Sequence, residues 1–408
     1  MTEKLVSRRC VLFLGGYEPA PAERQHERFV RELSRFAQAW NVRAAATKPD
    51  FGGDGAVASW RVEAEAPNWR VETDYLLLRW DDFVTGDFAR PEWKRLPQGM
   101  LALGDFIVSG TLFRYFAANW RYALFFLYPV LIVAGFAALG AAIGYALASQ
   151  AFPGAALLGA LAGAAAFCAL LVFGGRALQL PYLLDDWIFA RDYVRGKRAG
   201  LDARLDRFAQ ELVSRMRDPG YDEIVLAGHS LGAPFSVDVL DRALRLDRSA
   251  FDALGRDGKT LNLLSTGSSL LKVALHPAAA RLRGAVGRVS AHKSVFWVEY
   301  QALVDVINFY KTDPVRALRL PPTGSPLVHI VRIREMLSPQ AYRRFGLDFF
   351  RLHRQFVMGN ERRYFYDYFM LCCGPLRFAA RVKNPDRAVT AFGPDGSLVP
   401  QTPQGEVT

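Results

Sequence analysis

Between Arg121 and Arg176 the chain runs for 54 residues without a single Asp, Glu, Lys, Arg or His. One bilayer crossing takes about 20 apolar residues, so this length suits two helices joined by a tight turn. The turn is legible at Ser149-Gln150-Ala151-Phe152-Pro153-Gly154, where clustered polar residues meet a Pro-Gly pair. The pattern predicts spans over about 122–148 and 155–174, inside an insertion covering 81–199. Gly140-x-x-x-Gly144 and Gly159-x-x-x-Gly163 place small residues where two helix backbones can approach closely in lipid. A buried hairpin of a soluble core is the weaker reading, because soluble helices rarely are apolar around their whole circumference. Arg114 and Arg121 precede the stretch, Arg176, Arg191, Arg195, Lys197 and Arg198 follow it, and the turn is uncharged. The positive-inside rule then predicts a two-pass integral protein with both termini and the remaining chain on the cytoplasmic side. Met1 to Cys10 is charged, and the short apolar run after it ends at Gly15-Gly16, without the pattern of an export signal.

Outside the insertion the chain has the composition of a globular protein, with 51% hydrophobic and 22% charged residues. The net charge of +11 suits an anionic membrane surface, an acidic substrate or nucleic acid. No nucleic-acid-binding module accompanies the basic-aromatic segments around Arg343-Arg344, Arg351 to Arg354 and Arg362-Arg363, so no nucleic-acid partner is expected. Cys10, Cys168, Cys372 and Cys373 form neither a disulfide framework nor a zinc-ligand spacing. Walker and dinucleotide glycine loops are absent from the sequence, so neither a cofactor nor a metal is expected.

Short apolar runs alternate with helical periodicity on both sides of the insertion. Strands are predicted at Cys10–Leu14, Ala58–Glu65, Asp74–Trp80, Ile224–Ala227, Leu261–Ser265, Val295–Tyr300 and Val328–Ile333, with helices over Glu23–Trp40, Leu201–Met216 and Pro234–Leu246. The segment Phe349–Met370 is aromatic and partly helical in pattern. This alternation predicts an α/β fold, a mostly parallel sheet with flanking helices, built discontinuously from 8–80 and 200–375. Residues 381–408, rich in Pro, Gly and polar side chains, read as a flexible, solvated tail.

Gly228-His229-Ser230-Leu231-Gly232 sits between the Ile224–Ala227 strand and the following helix. A strand-to-helix turn this sharp forces its central residue into a strained backbone, and glycines on either side leave room that Cβ atoms would fill. It would hold the Ser230 hydroxyl out at the carboxyl edge of a sheet, close to helix-terminal amides. The GxSxG motif in this context resembles the nucleophile elbow of the α/β-hydrolase superfamily, and GHSLG is the form common in its lipase and esterase branches.

That resemblance implies a serine ester hydrolase whose triad runs Ser, acid, His along the chain. Asp305 is the chosen acid, since Trp297 to Asp305 resembles the Trp-led strand before the triad Asp in membrane-associated bacterial hydrolases; Val306 departs from their Asp-Pro pair. Asp313 is the alternative, and either Asp also suits a helix cap or turn. His353 follows both and is the chosen base. His229 is expected to line the pocket or pack, His329 to be a core histidine, and His26, His276 and His292 to be surface or packing residues. The resemblance assigns the oxyanion-hole amides to Leu231 and to the turn Gly15-Gly16-Tyr17, with Tyr17 preferred over Gly16. The expected activity is cleavage of a lipid or small acyl-ester substrate at the cytoplasmic face, with the pocket opening toward the bilayer. Two further readings stand beside it: an acyltransferase, and a non-catalytic membrane scaffold that keeps the fold. Substrate identity and oligomeric state are not legible.

Overall fold

The computed structural model describes residues 4–150, 152–256, 260–346 and 348–399. Residues 1–3 of the charged N-terminal segment, Ala151 of the turn and 400–408 of the expected tail lie outside the described residues. The chain divides into two compact units, Met1–Thr85 with Arg198–Thr408, and Gly86–Lys197.

The first unit is an α/β fold around an eight-stranded sheet: β1 (Arg8–Leu14), β2 (Arg43–Ala46), β3 (Val57–Ala66), β4 (Trp69–Leu78), β5 (Glu223–His229), β6 (Leu261–Thr266), β7 (Val295–Ala302) and β8 (Leu327–Val331). Their order is β2-β3-β4-β1-β5-β6-β7-β8. From β4 to β8 every pair is parallel, while β2-β3 and β3-β4 are antiparallel. The central strand β5 is buried along its whole length, which is why it reads as one apolar run. β3 alternates buried and wetter positions, as an antiparallel strand with one solvated face does.

Register aligns the carboxyl ends of the central strands. Leu14 pairs with Gly228, His229 with Thr266, and Thr266 with Tyr300. The turns after β1, β5, β6 and β7 therefore leave the sheet at one edge, and β1 lies where the chain switches from building one side of the sheet to the other. In open α/β sheets such a switch point is where ligands bind.

The sequence does not announce several elements: β2 and the helices Arg248–Arg256, Leu270–Ala274 and Ala280–Ala291. The strand predicted to reach Ile333 stops at Val331, because Ile333–Met336 turns into a short helix. The expected solvated tail is corrected as far as Val399. Phe378–Lys383 and Arg387–Thr390 are helical, Phe392 is buried, and Phe392 bridges to Leu398. Trp69 Nε1 donates to the Gly396 carbonyl at 2.9 Å, and Phe392 packs against Trp40. One aromatic, Phe392, and the bond from Trp69 to Gly396 tie this polar-looking segment to the core.

The second unit is helical. Its first predicted span begins late, at Tyr128, because Trp120–Phe126 is a separate helix capped by Asn119, whose side chain accepts from the Tyr122 amide at 3.1 Å. The helices Tyr128–Ala148 and Ala155–Ala177 are long and apolar enough to cross a membrane. They pack through their glycines: a Cβ on Gly140 would stand 2.8 Å from the Gly163 carbonyl, and one on Gly144 2.9 Å from the Gly159 carbonyl. Leu131, Leu139, Leu157, Leu161 and Phe173 point outward and are exposed. Before the pair, Glu92–Val108 and Thr111–Ala118 meet at a 69° bend. Val108 and Phe113 beside that bend are 89% and 69% exposed.

Candidate active site

Ser230 follows β5 and takes a φ of +57°, the left-handed region that a residue with a side chain adopts only at a cost. Its surroundings fix it there. The Ser230 amide donates to the Thr266 carbonyl at 3.1 Å, and its own carbonyl accepts from Ala233 and Ser269 amides, each at 3.1 Å. The flanking glycines are required by close approach. A Cβ on Gly228 would come 2.6 Å from the Gly232 carbonyl, and one on Gly232 2.7 Å from the Gly15 carbonyl. Leu231 stands at the N-terminal cap of the helix Gly232–Leu246, the end at which backbone N–H groups lack intrahelical partners.

His353 lies on the short helix Phe349–Arg354 and is 5% exposed. Its Nδ1 is 2.8 Å from Asp305 Oδ2. Asp305 is fully buried in the turn after β7, and its other oxygen accepts the Ile307 amide at 3.0 Å. A carboxylate only accepts, so Nδ1 carries the proton and Nε2 presents a lone pair. Nε2 is buried and finds no hydrogen-bond partner among the described residues. The imidazole rests on the turn after β6, where a Cβ on Gly267 (φ +51°) would stand 2.9 Å from His353 Cε1. Ser230 and His353 thus share the 266–267 turn, one bonded to Thr266 and the other packed on Gly267.

His229 packs instead of reaching outward. Its ring centroid is 4.6 Å from that of His353, and its Nδ1 is 3.1 Å from the Thr266 carbonyl. Burial, reinforced by the neighbouring His353, holds His229 well below the usual histidine range, so it is neutral and donates from Nδ1. Asp313 is not brought to a histidine. Its Oδ1 accepts the Val315 amide at 2.8 Å and the Arg316 amide at 3.1 Å, the bonds of a helix N-cap. His329 stacks on Tyr300, and His276 is buried.

The turn after β1 meets the same place. A Cβ on Gly16 would lie 2.9 Å from Ser230 Cβ and 3.4 Å from its Oγ. Tyr17, buried, packs on Trp80, and Trp80 Nε1 donates to the Gly15 carbonyl at 3.0 Å.

No family model, curated protein or solved structure matches the chain.

A narrow cleft passes over Gly15, Gly16 and His229, with Phe13, Leu77 and Val357 among its apolar walls. A second narrow hollow shares Phe13 and Leu77 with it and is lined also by Trp60, Tyr75 and Tyr368. Five charged lining residues escaped the sequence reading as site residues: Glu18, Arg28, Arg79, Asp81 and Arg354. Arg354 carried a signal, being adjacent to His353 in a basic segment. Glu18 and Arg28 had none, because only the packing of helix Ala22–Trp40 brings them to the cleft. Burial alone would push the Glu18 carboxyl up, but Arg28 and Arg354 outweigh it and hold it below the usual carboxylate range.

The stretch after β4 also reaches this cleft. Arg79, Trp80 and Asp81 line it, and the first unit then runs out at Thr85. Arg204, just after the return at Arg198, pairs with Asp82 at 2.8 Å and donates to the Arg79 carbonyl at 2.6 Å.

Proposed function

We propose that the protein is a membrane-anchored serine ester hydrolase of α/β-hydrolase type. Ser230 Oγ would attack the ester carbonyl carbon while His353 Nε2 takes its proton. Asp305 would hold the ring in the productive tautomer and stabilise the imidazolium. The alkoxide leaving group would depart as the alcohol with that proton, leaving an acyl-Ser230. Water, deprotonated by the same Nε2, would then release a carboxylic acid and restore the serine. The Leu231 amide and one from the Gly16-Tyr17 turn are the proposed oxyanion donors.

One observation carries this reading: a strained Ser230 and a His353–Asp305 pair with an unpartnered Nε2 meet on a single turn. His329 Nε2 is likewise buried without a partner among the described residues, so what distinguishes His353 is its pairing with Asp305 over the turn that also holds the Ser230 amide. The membrane half of the proposal rests on the glycine-packed apolar helices and on the exposed apolar residues around the 69° bend. By the positive-inside rule the catalytic unit would face the cytoplasm, where membrane lipids or other acylated compounds would be its substrates.

The test is labelling of the purified full chain with a fluorophosphonate probe, alongside ester hydrolysis in detergent. Labelling and hydrolysis that both vanish in Ser230→Ala support the reading. A wild-type chain that neither labels nor cleaves any ester rejects it. An added acceptor alcohol that captures the acyl group in preference to water would shift the assignment to acyl transfer.

A further inference from the structure

Two arginines far apart in the chain share one carboxylate in the lining of the cleft. Arg28 Nη1 donates to both oxygens of Glu18, at 2.7 and 2.8 Å, and Arg354 Nη1 reaches Glu18 Oε1 at 3.5 Å. Each contact uses a single nitrogen of a guanidinium that offers five N–H donors. No other hydrogen bond from either guanidinium occurs among the described residues. All three side chains are partly exposed, at 22%, 44% and 33% for Arg28, Arg354 and Glu18. Exposed ion pairs contribute little to stability, so holding the fold together does not account for two cations gathered on one anion.

From this arrangement we infer that Arg28 and Arg354 form an anion-binding subsite, and that the substrate is an ester bearing a carboxylate or phosphate beside an apolar acyl chain. The inference rests on the hydrolase reading and names its substrate class. Planar guanidinium forks match carboxylate and phosphate geometry, and the remaining N–H groups are free to form such pairs. Glu18 orients both forks and leaves the pair with one uncompensated positive charge, which an incoming anion neutralises. Phe13, Leu77 and Val357 line the same cleft as Gly16 and His229 and supply apolar surface for an acyl chain.

The experiment compares matched esters on the full-length protein in detergent: mono-p-nitrophenyl succinate against p-nitrophenyl pentanoate, and 1-decanoylglycerol 3-phosphate against 1-decanoylglycerol. The charged member of at least one pair is expected to have a kcat/KM about ten-fold higher. The pair that shows the preference identifies the anion as carboxylate or phosphate. In Arg28→Gln/Arg354→Gln this discrimination falls about ten-fold, mainly through KM for the charged ester, whereas Glu18→Gln raises it. A discrimination near one in the wild type, or one unchanged in the double variant, overturns the subsite. If no ester is cleaved, the hydrolase reading fails, and calorimetry with octyl phosphate decides the subsite separately. Binding by the wild type that the double variant loses sustains it, and no binding by the wild type refutes it.

Discussion

His353 Nδ1 stands 2.8 Å from Asp305 Oδ2 across 48 residues of chain. Asp305 is itself clamped by the Ile307 amide, and Asn308 Nδ2 donates to the Asp305 carbonyl at 2.8 Å. The carboxylate therefore cannot swing away, and the ring it holds must keep Nε2 on the opposite side. The value of this pair lies in that orientation, since a base must aim its lone pair before its basicity matters.

The two candidate acids separate cleanly by substitution. Asp305→Asn is expected to lower kcat by about ten-thousand-fold, because an amide no longer favours the Nδ1–H tautomer. Asp313→Asn is expected to leave ester hydrolysis near wild type, while Asp313→Ala costs about 1 kcal/mol of stability through loss of the cap. Steady-state kinetics and thermal melts of the three variants check both statements, and the reverse pattern would reassign the acid.

Gly267 gives the ring its seat. Alanine there would need a φ of +51° and would place Cβ 2.9 Å from His353 Cε1. Gly267→Ala is expected to destabilise by about 1 kcal/mol or more and to displace the imidazole. Its kcat should fall even at temperatures where circular dichroism finds it folded, whereas Gly53→Ala, with open space around its Cα, should match wild type.

Glu299, on β7, predicts a pH dependence of stability. Burial, with Asp313 adding to it against the Gln301 hydrogen bond, pushes its carboxyl from 4.5 up to about 8. Below pH 4.5 folded and unfolded states are both protonated and the residue costs nothing. Between 4.5 and 8 the unfolded chain gives up the proton and the folded one keeps it, so stability falls as pH rises, on the order of 1 kcal/mol per pH unit. Glu299→Gln keeps an acceptor for Gln301 and removes the titration. Its melting temperature should exceed that of wild type by a margin that widens from pH 5 to pH 8, and a margin independent of pH would contradict the assignment.

The proposed topology is testable at the hairpin turn. Phe152 is 45% exposed between the two apolar helices. In intact cells, a cysteine at Phe152 should react with a membrane-impermeant maleimide added from outside, while one at Arg198 should react only after permeabilisation. Equal reaction at both without permeabilisation would exclude a cytoplasmic catalytic unit. Gly159→Leu, which forces a side chain into the Gly144 backbone, should weaken helix pairing without altering the extraction resistance of the chain.

Patterns that depend on near neighbours in the chain were legible before any coordinate. The α/β alternation, the helix Leu201–Met216 and the apolar pair of helices follow from periodicity and from charge excluded over a long stretch. The strand-turn-helix around Ser230 was legible too, since the room Gly228 leaves is set by Gly232 and Ala233 within the turn itself, although Gly232 also answers to Leu14 and Gly15 of the distant first strand. The packed C-terminal segment was not: Pro, Gly and polar residues there give a loop signal, and its one aromatic, Phe392, has its partners at Trp40 and Trp69, some 300 residues away. The predicted first span ran six residues too far because Trp120–Phe126 is as apolar as a span, yet it ends before the helix that begins at Tyr128.

Local chemistry thus settled which segments are strands, which are apolar helices, and where a serine would be held in strain, because backbone sterics and hydrophobic periodicity act over a few residues. Which acid meets which histidine, and which arginines gather at the cleft, belonged to the fold alone. Asp305 is preferred over Asp313 as letters, and strand register and the turn after β7 bring one to His353 and leave the other capping a helix. Glu18, Arg28 and Arg354 become neighbours only when the helix after β1 and the segment after β8 pack at the same sheet edge, a contact fixed by burial of distant apolar faces and invisible to any local pattern.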